Sequence, residues 1–150
     1  ARAAGIGGMA GGQMLDLAAE GRQLAEEQIA SLQAMKTGAL IRHACEAGAI
    51  LGGAGDTERA ALVGYGERIG KAFQLADDML DLTASSEQLG KQAAKDSGRG
   101  KATLVALYGL DRSRQLAGEL VAEALELLAP FGRRAAYLEA AARFIVGRDH

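Results

Sequence analysis

Three aspartates crowd one short stretch of the chain, Phe73-Gln74-Leu75-Ala76-Asp77-Asp78-Met79-Leu80-Asp81. On a helix that turns about 100° per residue, with Gln74 set at zero, Asp77, Asp81 and Asp78 fall at about −60°, −20° and +40°. Gln74 and the three carboxylates therefore share one arc, and Leu75, Met79 and Leu80 lie outside it. Like charges one turn apart on a helix repel by a few tenths of a kcal/mol even in water. A divalent cation reverses the sign of that term. Mg²⁺ takes hard oxygen ligands, and it commonly uses one or two carboxylates together with substrate phosphates. A solvated helix face is the plain alternative. The apolar bulk of Phe73, Leu75, Met79, Leu80 and Leu82 around the aspartates argues for a cleft instead.

Basic residues follow within twenty positions. Lys91, Lys95, Arg99 and Lys101 face a single acid, Asp96, in a stretch that also holds Gly98 and Gly100. An acidic helix end beside a glycine-containing basic loop suits a magnesium diphosphate, with the metal on the aspartates and the phosphate oxygens on the lysines. A surface loop is the alternative. A third polar intrusion, Lys36-Thr37-Gly38, interrupts the small and apolar run from Gln33 to Ile41. Lys36 could snorkel and Thr37 could bond back to its own helix. Gly38 disfavours a helix by about 1 kcal/mol relative to Ala, a cost explained if something approaches the backbone there.

The elements that must position these residues read as helices. The chain has 150 residues, 49% of them hydrophobic, 4% aromatic, with 32 Ala, 21 Gly and a single Pro. This mixture excludes collagen and disorder, and it disfavours a β-sandwich. Five or six helices are expected: 1–20, buried on several sides; 23–52; 57–83; a short apolar segment at 101–109; one capped by Asp111; and a last one at 133–146, after a break at Pro130 and Gly132. Asp56 or Thr57 is expected to cap the third. The glycines inside these spans read as sites of close approach. A net charge of −2 offers no general attraction to nucleic acid or to anionic membranes. No apolar run is long enough to span a bilayer. Cys45 stands alone, which fits a reducing compartment and a small buried apolar group. With no secretory pattern at the start, a cytoplasmic location is expected. The chain opens on Ala-Arg-Ala, as a fragment or a processed product would.

Five stretches in order carry a resemblance. Gly11-Gly12-Gln13-Met14-Leu15-Asp16-Leu17, Lys36-Thr37-Gly38-Ala39-Leu40-Ile41, Phe73–Asp81, Leu89-Gly90-Lys91 and Gly100-Lys101-Ala102-Thr103 are similar to the C-terminal half of the trans-isoprenyl diphosphate synthases. The ending, Arg143 to His150, most resembles the bacterial farnesyl diphosphate synthase branch. The resemblance implies an all-α fold, the C-terminal helices of the isoprenoid-synthase bundle, with a central cleft lined by the aspartate-rich helix. It implies that residues 1–150 are the C-terminal part of one prenyltransferase domain. It further implies a Mg²⁺-dependent condensation (Mn²⁺ being possible) of an allylic diphosphate with isopentenyl diphosphate, in a homodimer whose interface would include Gly7–Gly12.

By the same resemblance, Asp77, Asp78 and Asp81 hold the metal, and Lys36, Lys91 and Lys101 bind the allylic diphosphate. Thr37 and Gln74 stand near the developing cation, with Gln13 and Asp16 in support. Two departures stand out. Gln33 occupies a position where a histidine is common, and Asp77-Asp78 is the only Asp-Asp pair, so the family's first aspartate-rich motif is absent. Half a site is expected, and with it no turnover by this chain alone. A non-catalytic helical subunit and a terpene cyclase of the same fold are the rival readings. The intact Asp77/Asp78/Asp81 set and Lys36-Thr37 argue against both.

Overall fold

A computed structural model describes residues 1–89 and 103–147, with side chains described outside 84–89. These residues are helical, and no strand occurs among them. After turns over residues 1–8, α1 spans Met9–Ala18 and α2 spans Glu26–Gln33. A π-helical turn, Ala34–Gly38, leads directly into α3, Ala39–Leu51. α4 runs from Asp56 to Leu89, 34 residues. α5 (Leu104–Tyr108), α6 (Leu110–Leu127), a 3₁₀ segment (Ala129–Ala135) and α7 (Ala136–Val146) complete the chain.

α4 is the axis of the molecule and packs against α3, α5, α6, α7 and the π turn. Tyr65, Ile69, Ala72 and Ala76 recur along it at the 4–3–4 spacing of one helix face. They are buried against Val121 and Ala124 of α6, Leu128 just after it, and Ala142 and Ile145 of α7. Three of the contacting residues, Ala72, Ala124 and Ala142, are fully buried alanines, so the helices meet through small side chains. A second cluster joins Leu75 to Val105 and Ala117, tying α5 and α6 to the stretch of α4 that carries the aspartates. The Tyr65 hydroxyl donates to the Leu138 carbonyl at 2.7 Å, linking α4 to α7. Burial pushes the Tyr65 phenol up to about 12.

Several expected boundaries move. The helix expected over 23–52 is divided, because Lys36, Thr37 and Gly38 lie in the π turn. π turns concentrate at functional sites because the widened ring redirects side chains. The first helix starts at Met9, not Ala1, and only Gly11 and Gly12 of α1 are buried. Met14, Leu15 and Leu17 are exposed, so the expectation of burial on several sides is corrected: no described element packs over them. Asp111 sits inside the first turn of α6, and the N-cap is Gly109, whose φ of 79° turns the chain between α5 and α6. Asp56 likewise begins α4 instead of preceding it, and places its charge at the positive end of that helix. The break at Pro130 and Gly132 is present as the 3₁₀ segment.

Two glycines grip the π turn. A Cβ on Gly12 would lie 2.3 Å from the Lys36 backbone nitrogen. A Cβ on Gly70 would lie 3.0 Å from the Gly38 Cα. The approach anticipated at Gly38 is therefore made by α4. The closest approaches of Gly8, Gly11 and Gly12 are likewise to this chain's own backbone. Cys45 is partly buried beside Gly66, and burial pushes its thiol up.

Candidate active site

Thr37 of the π turn meets Gln74 and Asp78 of α4, and Lys36 of the same turn meets Asp16 of α1. Gln33, the last residue of α2, donates from Nε2 to Asp78 Oδ2 at 2.9 Å. Gln74 donates from Nε2 to the other oxygen, Asp78 Oδ1, at 2.9 Å. Thr37 donates its hydroxyl to Gln74 Oε1 at 2.6 Å. A continuous hydrogen-bonded run, Thr37–Gln74–Asp78–Gln33, thus joins the π turn to α4. Beside it, Lys36 Nζ lies 2.5 Å from Asp16 Oδ2 in a half-buried ion pair. Asp16 stands three residues after Gln13 on α1, whose side chain is exposed. Gly12 makes this pairing possible, because its missing Cβ lets α1 sit directly on the Lys36 backbone.

The three aspartates sit in two environments. Burial raises the Asp78 carboxyl above its ordinary value; the Gln74 and Gln33 hydrogen bonds counter this, and the charges of Asp77 and Asp81 add to the rise. Asp77 and Asp81 are exposed, one helical turn apart, and neither is paired with a described residue. Among the described residues no three His, Cys, Asp or Glu side chains converge as a ready-made metal cage. An exposed i,i+4 carboxylate pair fits a hard cation that draws its remaining oxygens from a phosphate-bearing ligand and water. Lys91 and Lys101 lie outside the described residues.

The site is open in this chain. A cleft of about 640 Å³ is lined by Arg42, His43, Glu46, Glu67 and Lys71, away from the aspartates, and reaches neither Asp77 nor Lys36. A smaller cavity of about 280 Å³ between α2, α4, α5 and α6 has Gln33, Lys71, Leu75 and Tyr108 on its wall, so Gln33 is reached from the molecule's flank as well. The Tyr108 hydroxyl closes part of that flank by hydrogen bonding to Glu26. Chemistry, not concavity, marks the site here: polar groups converge on an otherwise apolar helix junction. The contact that sequence reasoning left unassigned is Gln33 to Asp78. Its only trace in the sequence is a carboxamide three residues before Lys36.

Comparison with known proteins identifies the family and the fold. A polyprenyl synthetase family model matches residues 3–133. The farnesyl diphosphate synthase of Escherichia coli (strain K12) is 43% identical over 155 aligned positions, covering 99% of this chain and 51% of that protein. A crystal structure of an FPP/GFPP synthase from Zymomonas mobilis superposes with a TM-score of 0.83 at 40% identity, over 96% of this chain and 47% of that one. A geranyltransferase from Helicobacter pylori, solved in complex with magnesium and isoprenyl diphosphate, superposes with a TM-score of 0.74 at 30% identity, over 97% of this chain and 48% of that one. The chain spans about half the length of these relatives. With a family model over most of its length and a matching all-helical fold, this chain belongs to the polyprenyl synthetase family.

Proposed function

We propose that this chain forms the metal- and diphosphate-binding wall of a trans-prenyltransferase, as the C-terminal part of that enzyme's single helical domain. The complete protein would condense an allylic diphosphate with isopentenyl diphosphate and release diphosphate, yielding a product of the farnesyl or geranylgeranyl class. The observation that carries this reading is the hydrogen-bonded run from Thr37 to Gln33 beside the Lys36–Asp16 pair, with Asp77 and Asp81 exposed on the same stretch of α4. Homodimerisation belongs to the same proposal, and the exposed apolar side chains of α1 offer a face for it.

The residues divide the work by chemistry. Asp77 and Asp81 supply hard oxygen donors for Mg²⁺, and Mn²⁺ accepts the same set. When bound, the metal neutralises charge on the departing diphosphate. Lys36, held in place by Asp16, offers a point charge to the same phosphate oxygens, and Lys91 and Lys101 add two more from the sequence. Thr37 and Gln74 set fixed dipoles toward the carbon that becomes positive as the diphosphate leaves. The apolar side chains around the aspartates keep water from that carbon.

Substitution in the complete protein tests the assignment. Asp77→Ala is expected to lower turnover of allylic and isopentenyl diphosphates by at least about 100-fold, and Lys36→Ala by about 10-fold or more. Helical circular dichroism should persist in both. Near-normal rates in the two variants together would remove this site.

A further inference from the structure

We propose that Gln33 is a positioning residue: by holding the Asp78 carboxylate against Gln74 it keeps the hydrogen bonds through the site in one direction, so that the Thr37 oxygen turns its lone pairs, and not its proton, toward the reacting carbon. The argument starts at Asp78. A carboxylate accepts hydrogen bonds and cannot donate them. Both of its oxygens are taken, Oδ2 by Gln33 Nε2 and Oδ1 by Gln74 Nε2, each at 2.9 Å. The Gln74 carboxamide therefore has one workable orientation. Flipping it would set a carbonyl oxygen against a carboxylate oxygen, two acceptors at hydrogen-bond distance. With nitrogen committed to Asp78, Gln74 Oε1 faces Thr37 Oγ1 at 2.6 Å and accepts from it. A threonine hydroxyl has one proton. Once that proton is given to Gln74, only lone pairs remain on Oγ1. Lone pairs favour a positive charge developing nearby, whereas an outward O–H would oppose it.

Gln33 completes this arrangement in two ways. It holds the second oxygen of Asp78, so the carboxylate cannot swing away from Gln74 about its terminal torsion. It also sits at the junction between α2 and the π turn, so its bond to Asp78, 45 residues away in sequence, fixes the register of Thr37 against α4, whereas Lys36 is held separately by Asp16. A histidine at this position would retain a ring N–H donor, and a side chain of similar length without a donor would not. The catalytic consequence rests on the prenyltransferase reading above. The clamp on Asp78 does not.

The test uses the complete protein with Gln33→Met, Gln33→His and Thr37→Val. Three quantities are measured: kcat with allylic and isopentenyl diphosphates, calorimetric affinity for inorganic pyrophosphate in the presence of Mg²⁺, and Tm. Loss of a supporting hydrogen bond of this kind is expected to lower kcat by about 10–100-fold in Gln33→Met. Pyrophosphate affinity should stay within about 3-fold, which places the loss in the reacting state and not in diphosphate binding. Gln33→His should recover kcat to within about 3-fold of the unmodified protein. Thr37→Val and the Thr37→Val/Gln33→Met pair should be equally slow, because Gln33 acts through Thr37. Unchanged kcat in Gln33→Met, a loss confined to pyrophosphate affinity, or a histidine variant as slow as the methionine one would each overturn the proposal.

The clamp is read separately by denaturation. Gln33→Met and Asp78→Leu should lower Tm by less together than the sum of their separate effects, and additive shifts would overturn the clamp. A protein with no prenyl turnover at all would defeat the prenyltransferase reading and the catalytic role of Gln33 with it. The denaturation cycle would then still decide the clamp.

Discussion

At the scale of single residues, identity sets the chemistry available and the surroundings separate residues of the same type. Asp77, Asp78 and Asp81 look equivalent in the sequence, yet Asp78 is half-buried under two carboxamides and the other two face outward. The helical wheel places them on one arc. Which of them turns toward α2 depends on the helix packed alongside, which a wheel does not contain. Tyr65 shows the same dependence. Its burial, with the neighbouring Cys45 adding to the effect, raises the phenol from 10.0 to about 12. The folded state therefore keeps a proton that the unfolded chain loses between those values. The contribution of Tyr65 is complete below pH 10 and declines as pH rises toward 12. Tyr65→Phe should cost about 1 kcal/mol near neutral pH through the lost hydrogen bond. It should also flatten the alkaline fall in stability, as read from urea midpoints between pH 8 and 11 for both proteins.

At the scale of elements, the π turn is the device that matters. A regular α-helix over 23–52 follows from the apolar spacing of Ile29, Leu32, Leu40 and Ala47, and most of that span is indeed helical. The interruption falls on Lys36-Thr37-Gly38, the residues whose types were out of place in an apolar helix. Propensity marks Thr37 and Gly38 as weak points. It does not distinguish a π turn from a simple packing site, because the outcome depends on the backbones of α1 and α4 pressing in at Gly12 and Gly70. Gly12→Ala should be costly for this reason. A methyl group 2.3 Å from the Lys36 nitrogen must push α1 away, at a cost of about 1–3 kcal/mol for overpacking, and separate Asp16 from Lys36. Thermal denaturation reads the first effect. In the complete protein, a weaker affinity for pyrophosphate reads the second. An alanine variant as stable as the parent and binding pyrophosphate equally well would show that the close approach at Gly12 has no consequence.

At the scale of the whole molecule, α4 is a beam with a core on one side and a polar site on the other. α6 and α7 seal its apolar face through alanines, and α5 supports the aspartate stretch through Val105 and Leu75. α1 is different. Its Met14, Leu15 and Leu17, with Ile6 just before it, are largely exposed, and Asp77 and Asp81 face outward. The chain spans about half the length of its relatives, so both faces are sites where further protein is expected to pack. Two outcomes follow for the purified 150-residue chain. Incubated with Mg²⁺, dimethylallyl diphosphate and isopentenyl diphosphate, it should form no product. It should also associate as concentration rises, because exposed apolar patches of this kind drive association. The double substitution Met14→Lys/Leu17→Lys should reduce that association in sedimentation or size-exclusion measurements. Product formation by the isolated chain would contradict the half-site expectation directly. No described helix is long and apolar enough to cross a membrane.

The sequence by itself determined the helical class, most helix positions, the aspartate arc, the Lys36-Thr37 intrusion and the family. All of these rest on local information: apolar residues at helical spacing, charged residues close together, and motifs in a fixed order. Tertiary structure alone decided that Asp78 turns inward, that Gln33 and Gln74 take its two oxygens, that Lys36 pairs with Asp16, and that the long second helix breaks into a π turn. The Gln33–Asp78 and Lys36–Asp16 contacts join residues 45 and 20 positions apart. They depend on which faces of α1, α2 and α4 meet and how closely their backbones approach. Periodicity shows that a helix has a face to bury. Only packing shows what lies against it.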